Sequence, residues 1–485
     1  MAHTYGESQG IARGKRAISH TVANHACVPS PEARSLSVRP KAHVASAEEL
    51  ALILLSARLL FENGQSTEKV VAALDQLAIA LGFRATVFPR WGEPSVLIND
   101  GNGSRHEILA AAPVGVDMRK VAATMGVIDE VCSGHLDAAG AQSALETVAR
   151  FSSVSITRFA LLAAAGAAAL GVIFGATHPF SLLLIAISAG AGAWLRRWLA
   201  TISRNLFVQP LCAALLAGAT GAIAVRLQLS SDLRLVAICP CMILVPGPHL
   251  LNGTIDLARA RIALGASRIA YAGVIILMIC TGLLSGLALG GVNLPASVPS
   301  SPVPLGYDVI AAGVAVAAYG TFFAMPWRML PIPISIGMLA HASRWTMISL
   351  VGASAEIGAL VACLIVGIVI TPVVDRLRLP FAAFAFASVV SLIPGVYLFR
   401  MAGGFVDLVT LGEKASVDVL LNTIADGTTA ALIMLAMAFG LILPKMYIEH
   451  FSSAPLAVQQ SARRRGRRAR VPPCTAAQAA MDRTD

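Results

Sequence analysis

From Phe159 to Pro444 the chain runs for 286 residues with only 23 charged side chains. Between those charges lie apolar runs that mostly reach the roughly 17 to 25 residues a helix needs to cross a bilayer. The other 199 residues hold the remaining 64 − 23 = 41 charges. The chain therefore divides into a polar N-terminal part, a membrane part and a tail. At 13% charged residues overall it has half the density of about 25% usual in soluble proteins, which excludes an ordinary soluble enzyme.

Five apolar runs fall at about 159–177, 180–195, 206–225, 235–251 and 269–292, and five more at about 309–325, 330–342, 347–374, 381–399 and 427–443. An uncharged Pro/Ser-rich connector, 293–307, separates the sets. The sets resemble each other at a near-constant offset: Pro246-Gly247 and Pro394-Gly395 are 148 apart, Pro179 and Pro326 are 147 apart, and the basic end Arg196-Arg197 finds Arg344. Five is odd, so a second copy must enter the membrane from the opposite face. That predicts an inverted repeat, the plan of many secondary transporters. Basic residues in short loops number nine on the side of the N-terminal part against five on the other, which predicts cytoplasmic termini.

Residues 1–45 mix Gly, Pro, Ser, His and Arg without apolar periodicity and read as a disordered extension. Residues 46–155 read as a small cytoplasmic α+β domain. Helices are predicted at 47–64 and from Ser66 or Thr67, short strands follow around Thr86, Val96 and Ile108, and two more helices close the segment. It holds no GxSxG, HExxH or phosphate loop, so no enzyme is expected. Eight scattered cysteines form neither a disulfide framework nor a zinc pattern, and no metal or cofactor is expected. The tail, 446–485, carries SARRRGRRAR, which suits anionic lipid head groups; nucleic acid is a poor partner for a tail anchored at a bilayer.

Interrupted spans at matched positions are the pointer to a transporter site. The fourth run contains Pro240, Pro246 and Pro248, and the ninth contains Pro394-Gly395. Each Pro removes a backbone donor and crowds the carbonyl four residues earlier, freeing backbone groups for a solute unless the kink is simply packed. Candidate substrate-binding positions are thus Pro246, Gly247, Asn252, Asp256, Pro394, Gly395 and Asp407. Asn252 and Asp256 share a helical face, although Asp256 has Arg259 and Arg261 as alternative partners. Glu356 is the single charge between Arg344 and Asp375, which would bury it if 347–374 is one span, and an intramembrane carboxylate marks an ion pathway by default. It is the proton-coupling candidate; the competing reading is a membrane-face Glu beside Arg344. His178, His249 and His341 are weaker, being near span ends.

The segments ARLLFENGQSTEKVVAALDQLAIALG, LVPGPHLLNGTIDLARARIALGASRIAYAG and RLPFAAFAFASVVSLIPGVYLFRMAGG, in that order, resemble the threonine/serine exporter (ThrE) family over about 47–443. The resemblance implies export of threonine and serine across the bacterial inner membrane, driven by protons. The expected architecture is a polytopic α-helical membrane protein of ten spans in two inverted five-helix repeats, 156–292 and 308–445, preceded by the soluble α+β domain. A homo-oligomer is compatible with this plan. The competing readings are a channel or scaffold whose N-terminal domain senses or binds a partner, and a membrane enzyme.

Overall fold

The computed structural model describes residues 44–468 except 101–102, 153, 177, 229–232, 293–302 and 378. The expectations for 1–43, for most of the connector and for 469–485 fall outside the described residues, as do the side chains of the basic tail.

Helix α1 (Ala47–Glu62) opens with a reciprocal cap: Ser46 Oγ accepts from the Glu49 N–H, and the Glu49 carboxylate accepts from the Ser46 N–H. Helix α2 (Thr67–Leu81) stops at Gly82, whose φ of 95° is the left-handed value glycine adopts without a Cβ penalty. Strands β1 (Arg84–Phe88), β2 (Ser95–Asp100) and β3 (Gly103–Ile108) form an antiparallel sheet in that order, followed by α3 (Met118–Cys132) and α4 (Ala138–Ala149). Alternation puts Ala85, Val87, Val96 and Ile98 against the helices, where they join Leu52, Leu60, Leu74, Leu77, Ile128 and Leu145 in a core separate from that of the helices that follow.

Those are α5 (Ile156–Ile173), α6 (Pro179–Ile202), α7 (Val208–Arg226), α8 (Leu233–Met242), α9 (Gly247–Ala258), α10 (Ile262–Leu289), α11 (Leu305–Phe322), α12 (Pro331–Ser349), α13 (Ala355–Arg376), α14 (Phe381–Val389), α15 (Gly395–Leu411) and α16 (Val417–Arg468). Among the described residues eight helices are long and apolar enough to cross a membrane, or nine when α8 and α9, bent by 55° at their break, count as one. The protein is a polytopic helical membrane protein.

Helix α5 packs on α6 and α8, α6 on α7 and α8, α7 on α8 and α10, and α9 on α10. In the same sense α11 packs on α12 and α14, α12 on α13 and α14, α13 on α14 and α16, and α15 on α16. Across the two sets α5 meets α11, α9 meets α14, and α8 meets α15. Small residues allow the tightest approaches. A Cβ on Gly282 would overlap the Leu211 carbonyl between α7 and α10, and one on Gly440 would lie 2.6 Å from Cys363 Cβ between α13 and α16.

Three runs differ from the sequence reading. The seventh, expected over 330–342, is the longer helix α12, because His341 is not the polar end of a span but a buried residue with a carboxylate partner. The eighth, read as 347–374, is not one span: α12 closes at Ser349, residues 350–354 form a turn with Gly352 at φ 73°, and α13 starts at Ala355. The tenth, expected over 427–443, lies inside α16, which starts ten residues earlier and continues through Arg468. Asp426 is tolerated in that helix because Arg400 of α15 pairs with it at 3.0 Å.

Candidate functional site

Proline places both helix breaks. After Met242 the backbone leaves the helix and re-enters at Gly247, with Pro246 at the N-cap and Pro248 in the first turn. After a 3-10 turn at Val390–Leu392 it re-enters at Gly395, with Pro394 at the N-cap. The carbonyls so freed are partly claimed by protein: Tyr319 Oη of α11 donates to the Met242 carbonyl at 2.8 Å.

The breaks are packed against each other's elements. The Phe386 ring of α14 covers Gly247, leaving no room for a side chain there, and Met242 of α8 covers Gly395, where a Cβ would lie 2.8 Å from Met242 Cγ. A small cavity of about 10 Å³ lies beside the first break, lined among others by Arg196, Ile243, Leu244 and Phe322. One of about 20 Å³ lies beside the second, lined among others by Phe174, Arg344, Ser391, Leu392 and Tyr397. Arg196 and Arg344, Phe322 and Phe174, and Ile243 and Ser391 are three pairs each 148 positions apart. Each cavity holds the arginine of its own set and the phenylalanine of the other. By volume each admits about one water molecule. A larger cavity of about 210 Å³ between α9, α14 and α16 is lined by apolar side chains with Thr254 the polar exception, so it suits neither an ammonium nor a carboxylate.

The remaining predicted residues separate. Asp256 is 1% exposed, and its carboxylate accepts from Thr67 Oγ1 at 3.1 Å and pairs with Arg268 and Arg261, both at 3.5 Å. Arg259, offered by the sequence as its partner, instead pairs with Glu68. Asn252 donates from Nδ2 to the Gly64 carbonyl at 3.4 Å, and its buried Oδ1 has no hydrogen-bond partner among the described residues. Asn252 and Asp256 thus engage the turn between α1 and α2. Lys69, in the first turn of α2, reaches Asp375 at 2.9 Å and the Leu379 carbonyl at 3.1 Å. The N-terminal segment therefore holds elements of both helical sets at once. Asp407 is half-buried toward the far end of α15, beyond the second break.

Glu356 requires a correction of position. The premise of burial inside one long span fails, because the chain turns at 350–354 and leaves Glu356 half-buried in the first turn of α13, where a carboxylate also complements the positive helix N-terminus. The buried titratable groups of that half are elsewhere. His341 Nδ1 lies 2.9 Å from Asp308 Oδ2, and His341 Nε2 lies 2.5 Å from Ser391 Oγ, with all three residues buried. Sequence reasoning discounted His341 as a span-end residue and passed over Asp308, Arg268 and Tyr319. The available signal was Asp308, a carboxylate immediately before the apolar run that opens the second set.

Residues 51–290 match the ThrE family model, described as a threonine/serine exporter, and residues 308–447 match the ThrE_2 model, described as "Threonine/Serine exporter, ThrE". The chain belongs to the threonine/serine exporter family. The first match takes in α1–α4 and the sheet together with α5–α10, so in this ThrE member the segment that engages Asn252 and Asp256 is part of the family's pattern. No solved structure matches the chain.

Proposed function

We propose that this protein exports threonine and serine across the bacterial inner membrane in exchange for protons, by alternating access around its two helix breaks. The observation that carries the reading is the matched pair of cavities, each with one arginine, one broken helix and one phenylalanine from the opposite set. A guanidinium is the side chain best suited to an amino acid's carboxylate, and the backbone groups freed at a break suit its ammonium and hydroxyl. Both cavities are too small for an amino acid in this state, so each must open in turn.

In this proposal α5–α10 and α11–α16 are inverted repeats of five spans each, with α8–α9 and α14–α15 counted as broken spans and α12 as a crossing helix. Both termini and the N-terminal α+β segment are cytoplasmic. Pro246, Gly247, Pro394 and Gly395 form the solute path, and Asn252 contributes its unpartnered Oδ1 at the inner end of the first break. Asp256 serves to hold Arg268 and the N-terminal segment rather than to bind solute freely, and Asp407 lies on the outer leg of the path. The proton is carried by a titratable group within the second repeat.

Labelled threonine and serine efflux from loaded proteoliposomes, with and without an imposed pH gradient, tests the reading. Flux driven uphill by the gradient is expected. Flux that only ever runs downhill would leave the channel reading in its place.

A further inference from the structure

The two cavities match in arginine and phenylalanine but not in titratable groups. The positions 148 before Asp308, His341 and Ser391 are Ala160, Ala193 and Ile243, which cannot bind a proton. In the second set these three residues form one continuous hydrogen-bonded chain. It starts at Asp308 in the first turn of α11, passes through His341 of α12, and ends at Ser391 in the 3-10 turn of the break, where Ser391 also lines the small cavity with Arg344 and Tyr397.

We propose that the Asp308–His341–Ser391 chain is the proton-binding element of the exchange cycle, resting on the proton-exchange reading above and replacing Glu356 as its carrier. With the imidazole neutral, the arrangement fits Nδ1–H donating to the Asp308 carboxylate and the Ser391 hydroxyl donating to Nε2; the tautomer follows from the carboxylate's being acceptor-only. One proton taken from the outer aqueous phase converts imidazole to imidazolium. Nε2–H then donates to Ser391 Oγ, and the hydroxyl hydrogen turns away from the ring toward the cavity at the Pro394 break. Release of the same proton to the inner phase restores the first state, so proton and charge balance over the cycle. Protonation at His341 thereby changes the donor and acceptor pattern that a solute meets at the break, which is what coupling requires.

The surroundings set the charge the chain must balance. Arg344 lies one turn along α12 from His341, close enough to Asp308 and Tyr397 to interact with both electrostatically. Tyr397 belongs to α15, and Glu356 sits in the first turn of α13, whose Ala355 and Ala359 line the same cavity. Uptake of one proton at His341 adds a positive charge beside Arg344 and turns the Ser391 hydroxyl hydrogen toward the break, where a solute ammonium would meet both. Burial of all three chain members makes two added positive charges there costly, so the proton and the solute ammonium are taken up alternately, as exchange requires.

The test uses full-length protein in liposomes, with gradient-driven threonine efflux and threonine–threonine exchange measured on the same preparations. His341→Gln and Asp308→Asn remove titration while keeping much of the hydrogen bonding. Both are expected to lose gradient-driven efflux to the protein-free level while exchange continues and no longer changes with pH. Glu356→Gln is expected to keep gradient-driven efflux. Ser391→Ala, which leaves the His–Asp pair in place, serves where Asp308→Asn does not accumulate, and is expected to uncouple efflux from the gradient in the same way. Gradient-driven efflux that persists in His341→Gln at equal membrane abundance overturns the proposal. Loss in Glu356→Gln with normal coupling in the other variants overturns it too and returns the role to Glu356. A wild-type protein that moves neither threonine nor serine overturns the parent reading, and this one with it.

Discussion

The hydroxyl of Tyr319, on the first helix of the second set, donates at 2.8 Å to the Met242 carbonyl, the last residue before the break of the first set. One set thus satisfies a backbone group that the other set's prolines set free. The same carbonyl still receives the Val245 N–H at 3.3 Å, so removing the hydroxyl does not orphan it. Tyr319→Phe is therefore expected to cost about 0.5–1.5 kcal/mol, the net worth of one hydrogen bond, rather than a full desolvation penalty. Thermal unfolding in detergent should register a small drop in midpoint; no change would mean that water replaces the hydroxyl.

Gly247 has no space above it. Gly247→Ala forces the Phe386 ring aside and should cost about 1–3 kcal/mol through overpacking, with loss of transport. Phe386→Ala opens that space, so the double variant should recover part of the stability lost by Gly247→Ala. Additive losses instead of recovery, read from the same melting assay, would show that the two residues do not meet.

The Asp256 cluster and the Glu68–Arg259 pair both tie the N-terminal segment to the helices, but they differ in burial. Asp256→Asn leaves the almost fully buried Arg268 without its counter-charge, which costs about 3–5 kcal/mol for a buried pair. Glu68→Gln breaks a partly solvated pair worth about 0–1 kcal/mol. Limited proteolysis should therefore release the segment readily in Asp256→Asn and scarcely faster than wild type in Glu68→Gln. Equal release from both variants would place the hold elsewhere, with Lys69 and Asp375 the next pair to examine.

Topology is open to a direct check. A cysteine placed at Ser300 in an otherwise cysteine-free chain should react with a membrane-impermeant maleimide added to intact cells, and one placed at Ser461 should not. The reverse pattern would overturn the cytoplasmic assignment of the termini.

The breaks were legible in the sequence because Pro246, Pro248 and Pro394 each remove a backbone donor next to a glycine or a second proline, whereas the lone Pro240 and Pro372 are carried inside α8 and α13. The spacing of 148 that relates Arg196 to Arg344 was visible as well. The charged residues were read less well, since a charge in an apolar run says only that a partner is needed and not where it lies. Glu356 looked buried because residues 347–374 are uniformly apolar, yet Gly352 turns the chain there. His341 looked like a span end because Asp308, its partner, is 33 positions away. Asp256 looked available to a solute because Thr67 lies 189 positions earlier in the chain, and Arg268 one helix later.

Phe386 over Gly247 and Met242 over Gly395 make the two sets mutually dependent in a way that bears on their ancestry. A chain holding only one such set carries both a bare glycine at its break and a bulky residue upstream of it. Two copies of that chain, inserted into the bilayer in opposite directions, could cover each other's glycines with no third component. Fusing the copies into one chain would then free each to specialise, and under the proposed proton exchange a histidine relay present in one copy alone is what such a division of labour would leave.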